Sequence, residues 1–382
     1  MRRTLALSLA TALCTFGVAE AGAAPSAKVV DPTIQQPGWS AAKNAWGQPD
    51  LSGSWSNATI TPLTRNTRLT NKATLPPTEV KALESTFAAA LEQRDETTNP
   101  NVLPGSDEDK AKDAKLFAVR PDFAAAGGDV GGYNNYWLDP GNHILEVDGE
   151  FRTSIFTTPD GQLPKRKSGS NGGASGPYNG GGLGSFDSYE TRPLGERCVI
   201  GFGRNAGPPM FPNGYYNNNY QIVQTGDAVA ITVEMIHDTR VIRLNSQHRT
   251  DGLRPWMGDS IGHYEGNTFV VETTNIPESQ NLYGAWKTLK VTERFTRVSP
   301  TRIKYSFEAE DPSVWDKPWG GEYTFSPVSG LYEYACHEGN YALPAILAGA
   351  RRQEEETASV TAAAKGTVPV AASSPKAKRG AD

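Results

Sequence analysis

Positive charge is in short supply in this 382-residue chain. Its 37 Lys and Arg are outnumbered by 42 Asp and Glu, for a net charge of −5, and no basic stripe appears before the extreme C-terminus. A nucleic-acid partner, which needs clustered cations, is excluded on that ground. Only three cysteines and five histidines are present. With no Cys-rich, haem, Rossmann or P-loop signature, no bound redox cofactor is expected. Apolar runs are also missing after the first segment, so stable membrane insertion is not expected.

What is present begins with Met1-Arg2-Arg3, an apolar run from Leu5 to Val18, and small residues around Ala19-Glu20-Ala21 and Ala21-Gly22-Ala23. This is the layout of a secretory signal peptide over residues 1–23, and it predicts a periplasmic or secreted protein. Beyond it remain Cys198 and Cys336, which an oxidising compartment would join as a disulfide. Low hydrophobicity with eight Trp and fourteen Tyr points to β-structure with aromatic surfaces.

Residues 46–351 are expected to form a single large β domain. A helix is predicted after Pro76-Pro77, where Val80, Leu83, Phe87 and Leu91 recur at helical spacing. Asp148-Gly149 predicts a hairpin, and residues 168–184 a glycine-rich loop. The second half reads as short strands: Tyr220–Thr225, Val229–Leu244, His263–Thr274, Leu289–Val298, Arg302–Ala309, Glu322–Phe325 and Leu331–His337. Without intervening helices these imply an antiparallel meander, closed as a barrel or stacked as a β-sandwich. A short helix is expected from Leu343, and residues 352–382 lack a core-forming pattern and are expected to be a disordered tail.

Gly53-Ser54-Trp55 is similar to the Gly-x-Trp that opens lipocalin-type barrels, which favours the barrel. A broader resemblance is carried by Phe151-Arg152-Thr153-Ser154 with Pro159-Asp160-Gly161, by Gly195-Glu196-Arg197-Cys198, and by Tyr220-Gln221-Ile222-Val223-Gln224-Thr225. It continues through Glu234-Met235-Ile236-His237-Asp238-Thr239-Arg240, Trp256-Met257-Gly258-Asp259-Ser260, Glu293-Arg294-Phe295-Thr296-Arg297 and the decapeptide Tyr332–Tyr341. On these segments the chain, from about Trp46 to Arg351, resembles a widespread family of exported bacterial hypothetical proteins. It departs from that pattern at Asn245, Ile261, Tyr264 and Asn267, where the group tends to carry Asp, Arg, Trp and Asp. The resemblance implies export and assigns no catalytic role to any residue.

Candidate chemistry comes from the residues themselves. If Ile231–Val241 is one strand, alternation puts Val233, Met235, His237 and Thr239 on a face looking into the barrel, and Glu234, Ile236, Asp238 and Arg240 on the other. Arg240 would then pair with Asp238 or Glu234. The terminal strand similarly presents Glu333 and His337 on one face and Tyr334, Cys336 and Glu338 on the other. Imidazole is the commonest general acid or base near neutrality, so His237 and His337 are the expected proton carriers. Glu338 or Glu333 would orient an imidazole, and Arg240 or Tyr334 would stabilise negative charge. Met235 would line the binding face. Trp315 and Trp319 are placed to stack a ring at the barrel mouth, or simply to anchor their loop. A metal site of His237, His263 and His337 is the alternative, and Asp259 reads as a cap for backbone amides.

The function these residues suggest is cofactor-free acid–base chemistry, as a lyase, hydratase or isomerase, on a small aromatic, terpenoid-like or glycosidic compound. Two alternatives stay open: a non-catalytic periplasmic carrier of a hydrophobic small molecule, and a metal-assisted hydrolase. Oligomeric state has no signal in the chain.

Overall fold

Two long runs, Lys290–Ser299 (β10) and Arg302–Glu310 (β11), alternate apolar and polar residues and pair along their whole length, Phe295 opposite Tyr305 and Glu293 opposite Phe307. Period-two alternation lets one face of such a sheet bury while the other meets water. The same rule repeats around the molecule. In the computed structural model, which describes residues 34–35, 37–95, 139–168, 186–201, 204–212, 217–336 and 342–364, nine strands close into a barrel. In spatial order they are β1 (Gly53–Ser56), β12 (Trp319–Pro327), β11, β10, β9 (Thr268–Thr274), β8 (Asp259–Glu265), β7 (Thr239–Leu244), β6 (Ala228–Val233) and β5 (Asn219–Gln224).

The lipocalin-like barrel expected from the sequence is therefore the fold, in place of the sandwich. One junction departs from a pure meander. β7 and β8 run parallel and share only Arg243 with Ile261 and Leu244 with Gly262. A parallel pair cannot be joined by a tight turn, so residues 245–258 travel back along the barrel before β8 starts.

A small sheet outside the barrel holds β2 (Thr74–Leu75), β3 (Glu146–Val147) and β4 (Glu150–Arg152) in the order β2-β4-β3. The expected hairpin at Asp148-Gly149 joins its last two strands. Helix α1 (Pro77–Asp95) buries Val80, Phe87 and Ala90 against Ile60, Leu75 and Ile144. Residues 154–157 then cross β12 at Gly320 and Gly321, bridging Phe156 to Gly321. A side chain at Gly321 would sit 2.9 Å from the Ile155 carbonyl oxygen and 2.6 Å from the Phe307 ring, so glycine makes room for this crossing.

Helix α2 (Ala342–Ala364) corrects the expected tail boundary. It passes Arg351 and runs to Ala364, with every described side chain from Arg351 exposed. Ala, Glu, Gln and Arg are good helix formers, and the Arg352–Glu356 pair adds support on one face; a helix can thus continue without a core. No described helix is long and apolar enough to cross a membrane. The signal segment 1–23, residues 169–184 of the glycine-rich loop and the tail beyond Ala364 lie outside the described residues.

Candidate functional site

The expected strand Ile231–Val241 is interrupted. β6 ends at Val233, Glu234–Asp238 form a turn closed by the Val233 amide on the Asp238 carbonyl at 2.9 Å, and β7 begins at Thr239. Thr232 faces Thr239 and Ile231 faces Arg240 across this hairpin. The five-residue turn resets the alternation. Val229, Ile231 and Val233 point inward before it, and Arg240, Ile242 and Leu244 after it. Arg240 is therefore inside the barrel and His237 is exposed at its end, the reverse of the expected arrangement.

The turn holds two side-chain-bearing residues in the left-handed region, Ile236 at φ 53° and His237 at φ 46°. For a β-branched residue this is a genuine outlier. Cys198 at φ 54° and Asn217 at φ 57° lie at the same end of the barrel. Strain of this kind persists only where surrounding contacts over-determine it, and it concentrates at functional sites.

Those contacts converge on two carboxylates. Glu234 is buried and accepts from the side-chain amides of Asn217 at 2.7 Å and Asn219 at 3.2 Å, and from the Tyr332 backbone amide at 2.7 Å. Asp238 accepts the Gly201 amide at 2.7 Å. The Cys198–Cys336 disulfide, with Cα atoms 5.5 Å apart, joins the chain just before Gly201 to the segment that follows Tyr332. Leu331–Cys336 forms no strand, correcting that expectation: its anchor points are the disulfide and Glu234, and no neighbouring strand pairs with it. Along it Tyr334 packs on the barrel core while Glu333 is exposed. His337 and Glu338 follow the disulfide in sequence but lie outside the described residues.

Burial pushes the Asp238 carboxyl up to about 6, against the Gly201 amide and His237, which both favour the charged form. Asp139 is raised too, by burial and by the charge of Glu234. This end of the barrel thus holds a carboxyl able to gain or lose a proton near neutrality, beside an exposed imidazole.

Behind the turn, Arg240 does not pair with Asp238 or Glu234 as expected. It forms a bidentate pair with Glu293, Nη1 to Oε2 at 2.6 Å and Nη2 to Oε1 at 2.9 Å. The Tyr305 hydroxyl donates to Glu293 at 2.8 Å and accepts the Met210 amide at 2.9 Å. The Tyr323 hydroxyl donates to the Met210 carbonyl, and Asn57 bridges Tyr323 to Tyr220. Tyr220 donates to the Asn205 carbonyl, and the Asn205 side chain donates to the Asn217 carbonyl, whose own amide reaches Glu234. A continuous polar thread therefore runs from Glu234 to Arg240. Burial raises the proton affinity of Tyr220, Tyr305 and Tyr323, keeping the phenols neutral. Arg204 belongs to the same interior, donating to the carbonyls of Gln280 and Pro208, and burial lowers its guanidinium to about 10.

The other expected site residues disperse. Met235 is fully buried in the core. Trp315 and Trp319 are also buried, their rings 5.4 Å apart and edge-on, with Trp319 packed on Phe156 and Phe307; they anchor, and do not line an open mouth. His263 stands exposed on β8, 3.1 Å from Glu265. Among the described residues no group of three His, Cys, Asp or Glu is arranged to hold a metal.

Sequence reasoning passed over Asp238 and the Glu293 pairing, and never considered His248. His248, on the returning segment 245–258, sits between Asp259 at 3.0 Å and Glu272 at 3.1 Å. Asp259 does accept a backbone amide, that of Arg249 at 2.8 Å, as expected. Neither Asp238 nor His248 had a local signal, because each acquires its partners from distant segments. No protein-family model, no curated protein and no solved structure matches this chain.

Proposed function

We propose that the protein is an exported enzyme that performs cofactor-free acid–base chemistry on a small organic compound at the Glu234–Asp238 end of the barrel. The observation that carries this reading is Asp238, half-buried, held up at about 6 and adjacent to the exposed, strained His237. A catalytic acid or base works best with a pKa near the working pH, and Asp238 has one. In this reading Asp238 transfers the proton, His237 relays it to solvent, and Glu234 fixes the turn through Asn217, Asn219 and the Tyr332 amide. Arg240 is then a structural element of the interior. The Cys198–Cys336 disulfide fits an oxidising compartment such as the periplasm or the exterior. The test is a turnover screen of lyase, hydratase and isomerase substrates with wild type, Asp238→Asn and His237→Ala. Loss of turnover in Asp238→Asn supports the assignment, and equal turnover in all three proteins overturns it.

A second reading, a non-catalytic carrier, is favoured by a different observation. Among the described residues, the Asn57 and Asn205 side-chain oxygens, Arg240 Nε and the indole nitrogens of Trp315 and Trp319 are buried without a hydrogen-bond partner. Buried polar atoms are ordinarily satisfied, so a carried molecule with polar groups would find partners there. Fluorescence titration of the buried tryptophans with candidate ligands separates the two: saturable quenching without turnover favours the carrier.

A further inference from the structure

The disulfide and Asp238 are connected by a short stretch of chain. Cys198 begins the segment that ends at Gly201, whose amide is the donor to Asp238. Three hydrogen bonds hold the start of that segment: the amides of Arg197, Cys198 and Val199 donate to the carbonyls of Pro193, Gly195 and Leu194. Cys198 itself is left-handed, so the chain turns at the sulfur-bearing residue and is directed toward Asp238. On the other side, Cys336 ends a segment tied to Glu234 through Tyr332. Both carboxylates of the turn therefore receive a backbone amide from a segment fastened at the disulfide.

We propose that the Cys198–Cys336 disulfide is a positioning clamp for the proton-transfer site, holding the Gly201 amide on Asp238 and the Tyr332 amide on Glu234, and that its reduction releases both. This rests on the reading of Asp238 given above and adds a regulation to it. Reduction by an external dithiol delivers two electrons and two protons, breaks the Sγ–Sγ bond, leaves thiols on Cys198 and Cys336, and closes the dithiol into its own disulfide. With the bond gone, the two segments share no covalent link except the long way round the chain, a separation of 138 residues. An amide that donates to a carboxylate favours its charged form, so release of Gly201 makes Asp238 easier to protonate. The other titratable groups of this end are His237 on the turn, Glu234 at its start, Asp139 facing Glu234 and Glu333 on the tethered segment, and they set the background for the change.

The experiment is a carboxyl-carbon NMR titration of the full chain, with and without dithiothreitol, and of the Cys198→Ser/Cys336→Ser variant. Glu265 serves as the internal reference, since it closes β8 at the end away from the turn, opposite Thr268 and held by His263 and Arg294. The expected result is an upward shift of Asp238 by about one pH unit, loss of hydrogen-exchange protection at the Gly201 amide, and no change at Glu265. No shift at Asp238 overturns the clamp. Shifts at both Asp238 and Glu265 also overturn it, because the disulfide then staples the whole fold. The readout contains no substrate, so a failed clamp leaves the turnover assays standing, and a failed turnover screen leaves the clamp measurable.

Discussion

Arg240 and Glu293 meet inside the barrel with each terminal guanidinium nitrogen on one carboxylate oxygen, and each is essentially sealed from water, at 2% and 0% side-chain exposure. Desolvating two charges is costly, and removing one partner leaves the other uncompensated. Glu293→Ala and Arg240→Ala are each expected to destabilise the fold by about 3–5 kcal/mol, measured by urea unfolding. The double replacement Arg240→Met with Glu293→Leu is expected to cost clearly less than the sum, since it removes both charges. A double-mutant cycle with no coupling would show the pair to be energetically idle.

Asp238 makes stability depend on pH in a defined direction. Its carboxyl is held at about 6 against an ordinary 3.8, so between those values the folded chain binds more protons than the unfolded one. Linkage then makes stability fall as pH rises through that window, by at most about 3 kcal/mol. Asp238→Asn is expected to flatten this part of the profile, read as the urea midpoint from pH 4 to 7.

His237 sits at a positive φ and is exposed. Glycine adopts that conformation freely, and the strain it relieves is about 1 kcal/mol. His237→Gly is expected to raise the melting temperature. If His237 also relays protons, turnover falls in the same variant, a stability gain bought with function.

His248 touches Asp259 and Glu272 with its two ring nitrogens, and Arg243 adds a third contact to Asp259 at 3.0 Å. Burial alone would raise the Asp259 carboxyl, but the Arg249 amide, His248 and Arg243 hold it below the usual carboxylate range. Its contribution is therefore present above the ordinary carboxylate pKa and lost as pH falls through the depressed value. Asp259→Asn is expected to cost about 1–3 kcal/mol and to expose the Arg249 amide to exchange. Unchanged protection there would show that the segment is held by other contacts.

The barrel was legible because alternation in β10, β11 and their neighbours is long, although the expected strand His263–Thr274 is the end of β8 and all of β9, folded back at Gly266-Asn267. The Cys198–Cys336 pairing followed from having two cysteines left in the chain beyond the N-terminal segment. The turn at Met235–His237 was illegible for the opposite reason. It contains no Gly, Pro or Asn, and its left-handed residues are an Ile and a His, which local propensity argues against. Once that turn was missed, alternation carried every later residue of β7 to the wrong face, and Arg240 with it. Glu293 is 53 residues away from Arg240 and one of many glutamates, so nothing local singled it out. The Leu331–His337 stretch alternates like a strand in sequence, yet its described part, Leu331–Cys336, is held by Glu234 and a sulfur bridge.

The parallel join of β7 to β8 gives the ring a buckle. Eight of its nine junctions are antiparallel, and this one rests on two residue pairs. Antiparallel neighbours connected by short loops re-form locally after a fluctuation, but a pair whose connection runs the length of the barrel re-forms only when that whole connection returns. The β12–β1 join also rests on two pairs, so the ring has two thin seams, and at the parallel one His248 with Asp259 and Glu272 is the catch. An undone buckle would leave a curved sheet with two free edges, and with them a way into the otherwise sealed space around Arg240.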